Sequence, residues 1–391
     1  MRGRFLFYGR IGIAAVLVAM ASASSGDAAL RTAPARSSFV PTLTITTLAS
    51  GLDHPWDVTR LPGTAGLLFT ERDRRAITYL DPGGTKHNLA LSPRPNYNSG
   101  ETGLMSILFA HDFTKTGHFF TCQGAIVSGG HDVRVVMWKL AANRRSATKV
   151  RTIVTGLPSS SGRHGGCRLR FGKAALYIGT GDAAEGTNPQ DLTSGGGKVL
   201  RVVPATGKPW PNNPFVHASN PMKRLVFTYG HRNVQGLALR PNGQMWAVEQ
   251  GTYRDDEVNL LRAGGNYGYN PVPGYNESVL MTDHSLPGPQ VSARWRSGDP
   301  TLATSGGMWL EGSRWGAWND ALAVGVLKDS RLLILKFSAN GSFIRSWMPA
   351  ELNGTYGRLR SPEIANDGSL LITTDNGSGT DQILRVVPHL S

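Results

Sequence analysis

The sequence predicts an all-β fold: a six-bladed β-propeller of four-stranded antiparallel blades, its ring closed by an N-terminal strand. Three observations carry this. A unit of short apolar runs separated by Gly, Pro, Asn and Asp turns recurs six times, and runs of that kind read as strands. Between the runs no stretch shows the 3.6-residue apolar period of an amphipathic helix. One further strand-like run, Leu43 to Leu48, stands alone ahead of the first unit, where it can supply the strand missing from the last. A large β-sandwich or two smaller β domains would leave both the sixfold recurrence and the solitary run unexplained.

Taken in order, the chain begins with Arg2, Arg4 and Arg10, the apolar run Ile11 to Met20, and the small residues Ala21-Ser22-Ala23. That is the pattern of a cleaved secretory signal, assigned here to residues 1–28. The run is too short for a membrane span, so a secreted or periplasmic protein without stable membrane insertion is expected. Residues 29–41 form a Ser-, Pro- and Ala-rich linker, and residues 42–391 a single propeller domain.

The first unit runs from Trp56-Asp57-Val58 through Leu67 to Glu71 to Ile77 to Leu80. The second has Gly103-Leu104, His118 to Thr121 and Val133 to Leu140; the third Cys167 to Phe171, Leu176 to Thr180 and Lys198 to Val202. The fourth, within Tyr229 to Tyr269, has Gly236 to Leu239, Met245 to Val248 and Glu257 to Leu261. Trp309, Ala321 to Val326 and Leu332 to Phe337 make the fifth; Glu363 to Ala365, Ser369 to Thr373 and Gln382 to Val387 the sixth. With 48 Gly and 23 Pro, the chain has the turn residues such a fold requires, and 17 % charged residues is low for a helical protein.

The formal net charge is +14. Removing residues 1–28 takes away three arginines and one aspartate and leaves +12. Lys and Arg are dispersed, with no nucleic-acid module and no run of five like charges, so no nucleic-acid partner is expected. A small polyanionic ligand held by a few arginines remains compatible. Cys122 and Cys167 are the only cysteines; they can pair in an oxidising compartment or stay as separate thiols, and two cysteines alone build no zinc site.

In a propeller, loops at one end of every blade converge on the central channel, so polar residues compare by their place in the repeat. Glu101, His164, Arg232, Asn233, Thr304, Ser305, Arg358 and Arg360 all fall just before a first strand, and Gln250, Gly251 and Lys328 follow second strands. The set combines one histidine, a general base near neutral pH, with cations suited to a ligand bearing several carboxylates. No nucleophile elbow, P-loop or dinucleotide glycine fingerprint occurs in a credible strand and helix setting.

Gly230-His231-Arg232-Asn233, Gln235 to Ala238, Glu249-Gln250-Gly251, Asp255 to Asn259 and Gly264 to Gly268 together resemble the signature of the soluble quinoprotein glucose/sorbosone dehydrogenases. That family includes aldose sugar dehydrogenases dependent on pyrroloquinoline quinone. The resemblance covers nearly the whole mature chain: His54-Pro55-Trp56, Thr70-Glu71-Arg72, Gly100 to Leu104, Gly179 to Asp182, Asp191 to Ser194, Gly197 to Arg201 and Tyr356 to Arg360 keep the expected order.

The resemblance implies a six-bladed propeller and oxidation of an aldose at its anomeric hydroxyl to the lactone, with electrons leaving to an external acceptor. It casts His164 as the base and sets Arg232 and Asn233 at the reactive edge of the cofactor. Lys328, Arg358 and Arg360 would grip the cofactor's carboxylates and quinone oxygens, and Glu101 would lie beside cofactor and substrate, with Gln250 and Thr304 completing the pocket. It also implies a calcium ion held by the backbone carbonyls of Gly251 and Thr252, and a second, structural one involving Glu257 and Tyr267.

The chain departs from the family pattern in three places. Thr252-Tyr253-Arg254 replaces the usual Pro after the Gln-Gly pair, Ser361-Pro362 follows Arg360 where an acid is usual, and Cys167 lies close to His164. Two rivals stand beside this reading, a calcium-dependent lactonase and a non-catalytic binding propeller. The sugar, the acceptor and the choice between monomer and homodimer are left open.

Overall fold

The computed structural model describes residues 39–390. The signal segment and almost all of the linker lie outside the described residues. Six sheets account for the strands, in the order in which the chain runs. Blade 1 is Pro55–Arg60, Leu67–Glu71, Ala76–Leu80 and Lys86–Asn88; blade 2 is Leu104–Phe109, His118–Val127, Gly130–Leu140 and Ser146–Leu157. Blade 3 is Arg168–Phe171, Leu176–Gly179, Lys198–Val202 and Val226–Tyr229; blade 4 is Asn233–Leu239, Met245–Gln250, Glu257–Leu260 and Trp295–Arg296. Blade 5 is Thr304–Leu310, Ala321–Val326, Arg331–Phe337 and Phe343–Trp347. Blade 6 takes Leu359–Ile364, Leu370–Thr374 and Asp381–His389, and its outer strand is the solitary N-terminal run, Thr42–Leu52, paired antiparallel from Thr42 opposite His389. The fold is therefore the six-bladed propeller predicted, with one addition: a short fifth strand, Ala90–Ser92, pairs parallel with the outer strand of blade 2.

The first strand of each blade contacts that of the next, and that of blade 6 meets that of blade 1. No single central core results. Six apolar clusters form instead, each at one of the six junctions between neighbouring blades. Every blade thus buries both faces, which is why its inner strands read as nearly continuous apolar runs. Burial of each large aliphatic or aromatic side chain there contributes roughly 1.5–3 kcal/mol. Cys122 on the second strand of blade 2 is disulfide-bonded to Cys167 at the start of blade 3, both fully buried.

The channel is left to polar residues, and the backbone delivers them by interruption. In five blades the register of the inner strand shifts near its first residues: between Pro55 and Asp57, Leu104 and Ile107, Val234 and Gly236, Thr304 and Gly307, and Leu359 and Pro362. A bulge re-aims the side chains it contains. Trp56, Ser106, Gln235, Ser305 and Arg360 lie within these interruptions and meet one another: Arg360 bonds Gln235 (3.0 Å) and Ser305 (3.3 Å) and lies over Trp56. From blade 3, fully buried Arg168 pairs with Asp57 (2.6 Å) and donates to Ser361 (2.6 Å), and Asp57 accepts from Ser106 (2.7 Å). One expectation is corrected here. Asn233, Thr304, Ser305 and Arg360 belong to their first strands rather than preceding them, because the bulged ends have no period-2 pattern to mark where the strand begins.

Candidate active site

Above this polar floor, where the inner strands begin, lies a cavity of ≈ 430 Å³, within the roughly 300–1,000 Å³ of small-molecule sites. Glu101, Gln250, Arg358 and Arg360 line it, as their repeat positions predict, together with His54, Arg72, Gln235 and Asp375.

One wall, from blades 6 and 1, is a bank of cations around a buried acid. Asp375 accepts from Arg360 (2.7 Å) and pairs with His54 Nδ1 (2.9 Å), and the guanidinium of Arg358 lies 3.7 Å away. Burial alone would push Asp375 up, but Arg360, His54 and Arg72 together hold its carboxyl well below the usual carboxylate range. The hydrogen bond to Asp375 in turn raises His54 above the ordinary imidazole value. Arg358 is partly exposed at the mouth.

His164 belongs to a second group, from blades 3 and 4, that meets the cavity lining at Glu101 and Gln250. Its Nδ1 lies 2.8 Å from Asp182 Oδ1, and both side chains are buried. Paired with a carboxylate, Nδ1 carries the proton, which leaves the Nε2 lone pair free to accept one. The loop packs closely: a Cβ on Gly181 would meet the His164 carbonyl oxygen at 1.8 Å, so only glycine allows the approach. Glu101 Oε2 accepts from the His164 backbone N–H (3.1 Å) and from Asn233 Nδ2 (3.3 Å), while Asn233 also donates to Gln250 Oε1 (3.2 Å). Arg232 donates to the Gln250 carbonyl (3.3 Å) and to Glu277 (2.7 Å). Five expected residues, Glu101, His164, Arg232, Asn233 and Gln250, thereby form one hydrogen-bonded group.

Residues 52–385 match the model of the Glucose / Sorbosone dehydrogenase family. The chain belongs to that family. It is 29 % identical over 358 residues to the aldose sugar dehydrogenase YliI of Escherichia coli, covering 89 % of this chain and 94 % of the relative. It is 29 % identical over 237 residues to quinoprotein glucose dehydrogenase B of Acinetobacter calcoaceticus, covering 54 % of this chain and 48 % of that protein. Among solved structures it is similar to the PQQ-bound aldose sugar dehydrogenase of Streptomyces coelicolor, with a TM-score of 0.75, 29 % identity, and coverage of 90 % of this chain and 100 % of that one. The apo form of the soluble E. coli aldose sugar dehydrogenase gives a TM-score of 0.78 at 26 % identity, covering 89 % and 100 %.

The remaining residues expected of a family member are less centrally placed. Thr304 is fully buried and its hydroxyl donates to the Glu249 carbonyl (3.2 Å). Lys328 is exposed beside the cavity-lining Leu327, with its backbone N–H donating to Leu302 (3.0 Å). At the expected calcium loop, a Cβ on Gly251 would come within 2.1 Å of the Arg254 carbonyl and 2.5 Å of that of Asp255, so several carbonyl oxygens crowd this turn. The neighbouring Thr252 hydroxyl is buried without a hydrogen-bond partner. Both features fit a cation held by backbone oxygens. Among the described residues no cluster of three His, Cys, Asp or Glu side chains could hold a metal.

Behind blade 4, Glu257 faces Glu249 across the sheet, and Asn259 donates to both carboxylates at 3.3 Å. Burial and the Glu249 charge push Glu257 well above the carboxylate range, against the opposing pull of Arg296. The Asn259 side-chain oxygen is buried with no partner; this acid pair would accept a cation. Tyr267 stacks on His231, and its hydroxyl donates to the Leu260 carbonyl (2.7 Å), leaving its backbone rather than its phenol for such a role. Sequence reasoning gave no role to His54, Arg72 and Asp182, although all three sit in the quoted motifs, nor to Gln235, Asp375 and Tyr275. Among the described residues no helix is long and apolar enough to cross a membrane.

Proposed function

We propose that this chain is a secreted or periplasmic aldose dehydrogenase that uses pyrroloquinoline quinone and calcium, oxidising a sugar at its anomeric hydroxyl to the lactone and passing electrons to an external acceptor. The observation that carries the reading is a bank of cations lining one cavity, with a fixed His164, paired through Nδ1 to Asp182, joined to that lining through Glu101. Arg358, Arg360 and Lys328 would hold the cofactor's carboxylates and quinone oxygens, Arg232 and Asn233 its reactive edge, and the carbonyls of Gly251 and Thr252 the calcium. When bound, the quinone supplies a hydride acceptor and the calcium a Lewis acid that polarises it. The protein's own part is acid–base and positional. His164 Nε2 takes the proton of the anomeric hydroxyl, Asp182 stabilises the resulting imidazolium through Nδ1, and Glu101 keeps the histidine backbone in place. Glu257 and the Tyr267 backbone would hold a second, structural calcium.

The test is reconstitution of the mature protein with pyrroloquinoline quinone and calcium, followed by dye reduction across a panel of aldoses. Turnover is expected, with His164→Ala slower by roughly 10²–10⁴-fold. A variant as fast as the parent, or no sugar oxidised, would sink the mechanism. Cofactor binding without turnover would favour a binding propeller, and cofactor-free lactone cleavage a hydrolase.

A further inference from the structure

The residues around 275 leave blade 4 and come to rest against the base side of the cavity. The Tyr275 hydroxyl lies 2.8 Å from Asp182 Oδ2 and 3.0 Å from His164 Nδ1. Two residues on, Glu277 pairs with Arg232 at 2.7 Å and Arg163 at 3.2 Å, and the Arg163 guanidinium lies 5.8 Å over the Tyr275 ring. Resting on the reading of His164 as the base, we propose that Tyr275 is a positioning residue for it. Its hydroxyl fixes Asp182 and sets how strongly the imidazole holds the proton it takes from the sugar.

The proton count leads to this. The neutral imidazole has one Nδ1–H, and its shorter contact is to Asp182 Oδ1. The Tyr275 hydroxyl therefore donates its own proton to Asp182 Oδ2 and turns a lone pair towards Nδ1–H. Asp182 Oδ1 also accepts from the Ala184 N–H at 2.8 Å. Both oxygens are thus occupied, and the carboxylate cannot rotate away from the ring. Burial and the Asp182 charge push the Tyr275 phenol far above its ordinary value, so it remains a donor throughout the working pH range.

The charge on Asp182 is shared between imidazole and phenol, and each donor weakens the carboxylate's hold on the other. The other titratable groups facing this cluster are Glu101 at the histidine backbone, Tyr269 and Arg232 beside Tyr275, and Arg163 and Glu277. The Glu277 ion pairs hold the segment down, and its carboxylate acts on the imidazole only through space.

The experiment compares Tyr275→Phe, Glu277→Gln and His164→Ala in the reconstituted enzyme. Tyr275→Phe loses one hydrogen bond to a charged group, so kcat is expected to fall roughly 5- to 20-fold with KM little changed. The sharper readout is the pH profile. With the phenolic donor gone, Asp182 concentrates its charge on the imidazolium, and the acid limb of kcat/KM moves to higher pH. Replacing Tyr275 by a fluorotyrosine, a stronger donor of nearly the same shape, should move that limb the other way. Glu277→Gln should lower the rate and, by removing a carboxylate that acts on the imidazole through space, move the limb slightly to lower pH, opposite to Tyr275→Phe. If neither Tyr275 replacement moves the limb while His164→Ala is inactive, the positioning role is overturned and the base stands. If His164→Ala retains full activity, the base assignment fails instead.

Discussion

Two histidine–aspartate pairs have nearly the same geometry, His164 Nδ1 lying 2.8 Å from Asp182 and His54 Nδ1 2.9 Å from Asp375; the second pair lines the cavity, and the first joins its lining through Glu101. Their neighbours set them apart. Asp182 is met by a phenol and a backbone N–H, neither charged, so no hydrogen-bonded cation competes with His164 for it. Asp375 is surrounded by Arg360, Arg358 and Arg72, and its hydrogen bond raises His54 above the ordinary imidazole value, towards the cationic form. On the function proposed above, the same pair of residue types makes a base in one place and part of an anion-binding bank in the other. The residues that decide between these outcomes lie one contact further out.

That contrast can be broken most severely from the cation side. Arg360→Met leaves Asp375 buried without its best partner, and a loss of roughly 3–5 kcal/mol in urea unfolding is expected. Arg360→Lys should recover only part, because a point charge cannot bond Asp375, Gln235 and Ser305 together as the guanidinium does. A loss under about 1 kcal/mol for the Met variant would mean that the remaining cations neutralise Asp375 by themselves.

Among the described residues only the His164 side is covalently tethered, by the disulfide whose Cys167 lies three residues from His164. Replacing both cysteines by serine should cost roughly 2–4 kcal/mol of stability. Well below the lowered Tm, kcat should fall little, since hydrogen bonds rather than the bridge orient His164. A large loss of kcat in a fully folded variant would contradict that division.

The smallest effect sharpens the contrast by pH. A His54 raised above its unfolded value contributes stability that is fully present below about pH 6.5 and is lost as the pH rises through the folded value. The Tm gap between the protein and His54→Gln should therefore be widest near pH 5.5 and shrink towards pH 8.5. The expected magnitude is on the order of 1 kcal/mol, because the ring is partly open to solvent. A gap that widens with pH would remove His54 from the cation bank.

The blades were legible because buried strands write themselves as short apolar runs, and the solitary run at Leu43 could be matched to the one incomplete unit. The polar positions were legible only in part. Glu101, His164 and Arg232 sit at equivalent turns ahead of first strands, and Gln250 ends a second strand, so the repeat aligned them. Gln235, Ser305 and Arg360 reach the channel through bulges, where alternation fails and no residue type marks the extra position. Tyr275 lies in a long excursion with no period, and nothing in its spacing from Asp182 announces their contact. Lys328 was grouped with the other cations, yet its side chain is exposed at the rim while Arg358 and Arg360 line the cavity.

Closure of the ring by Thr42–Leu52 also fixes an order of events. That strand pairs with Asp381–His389, at the far end of the chain. At roughly 5–20 residues per second, its partner is made on the order of 20–70 s after it. For that interval the first strand is an unpaired edge, and the cluster joining blades 6 and 1, which includes Ala49 and Leu52, cannot form. The segment shows how such an edge can be tolerated. It carries threonines at Thr42, Thr44, Thr46 and Thr47, and only Ala49 and Leu52 of its residues are fully buried in the finished ring. With threonines alternating along it and only two of its residues buried, the strand limits the apolar surface offered for self-association while it waits.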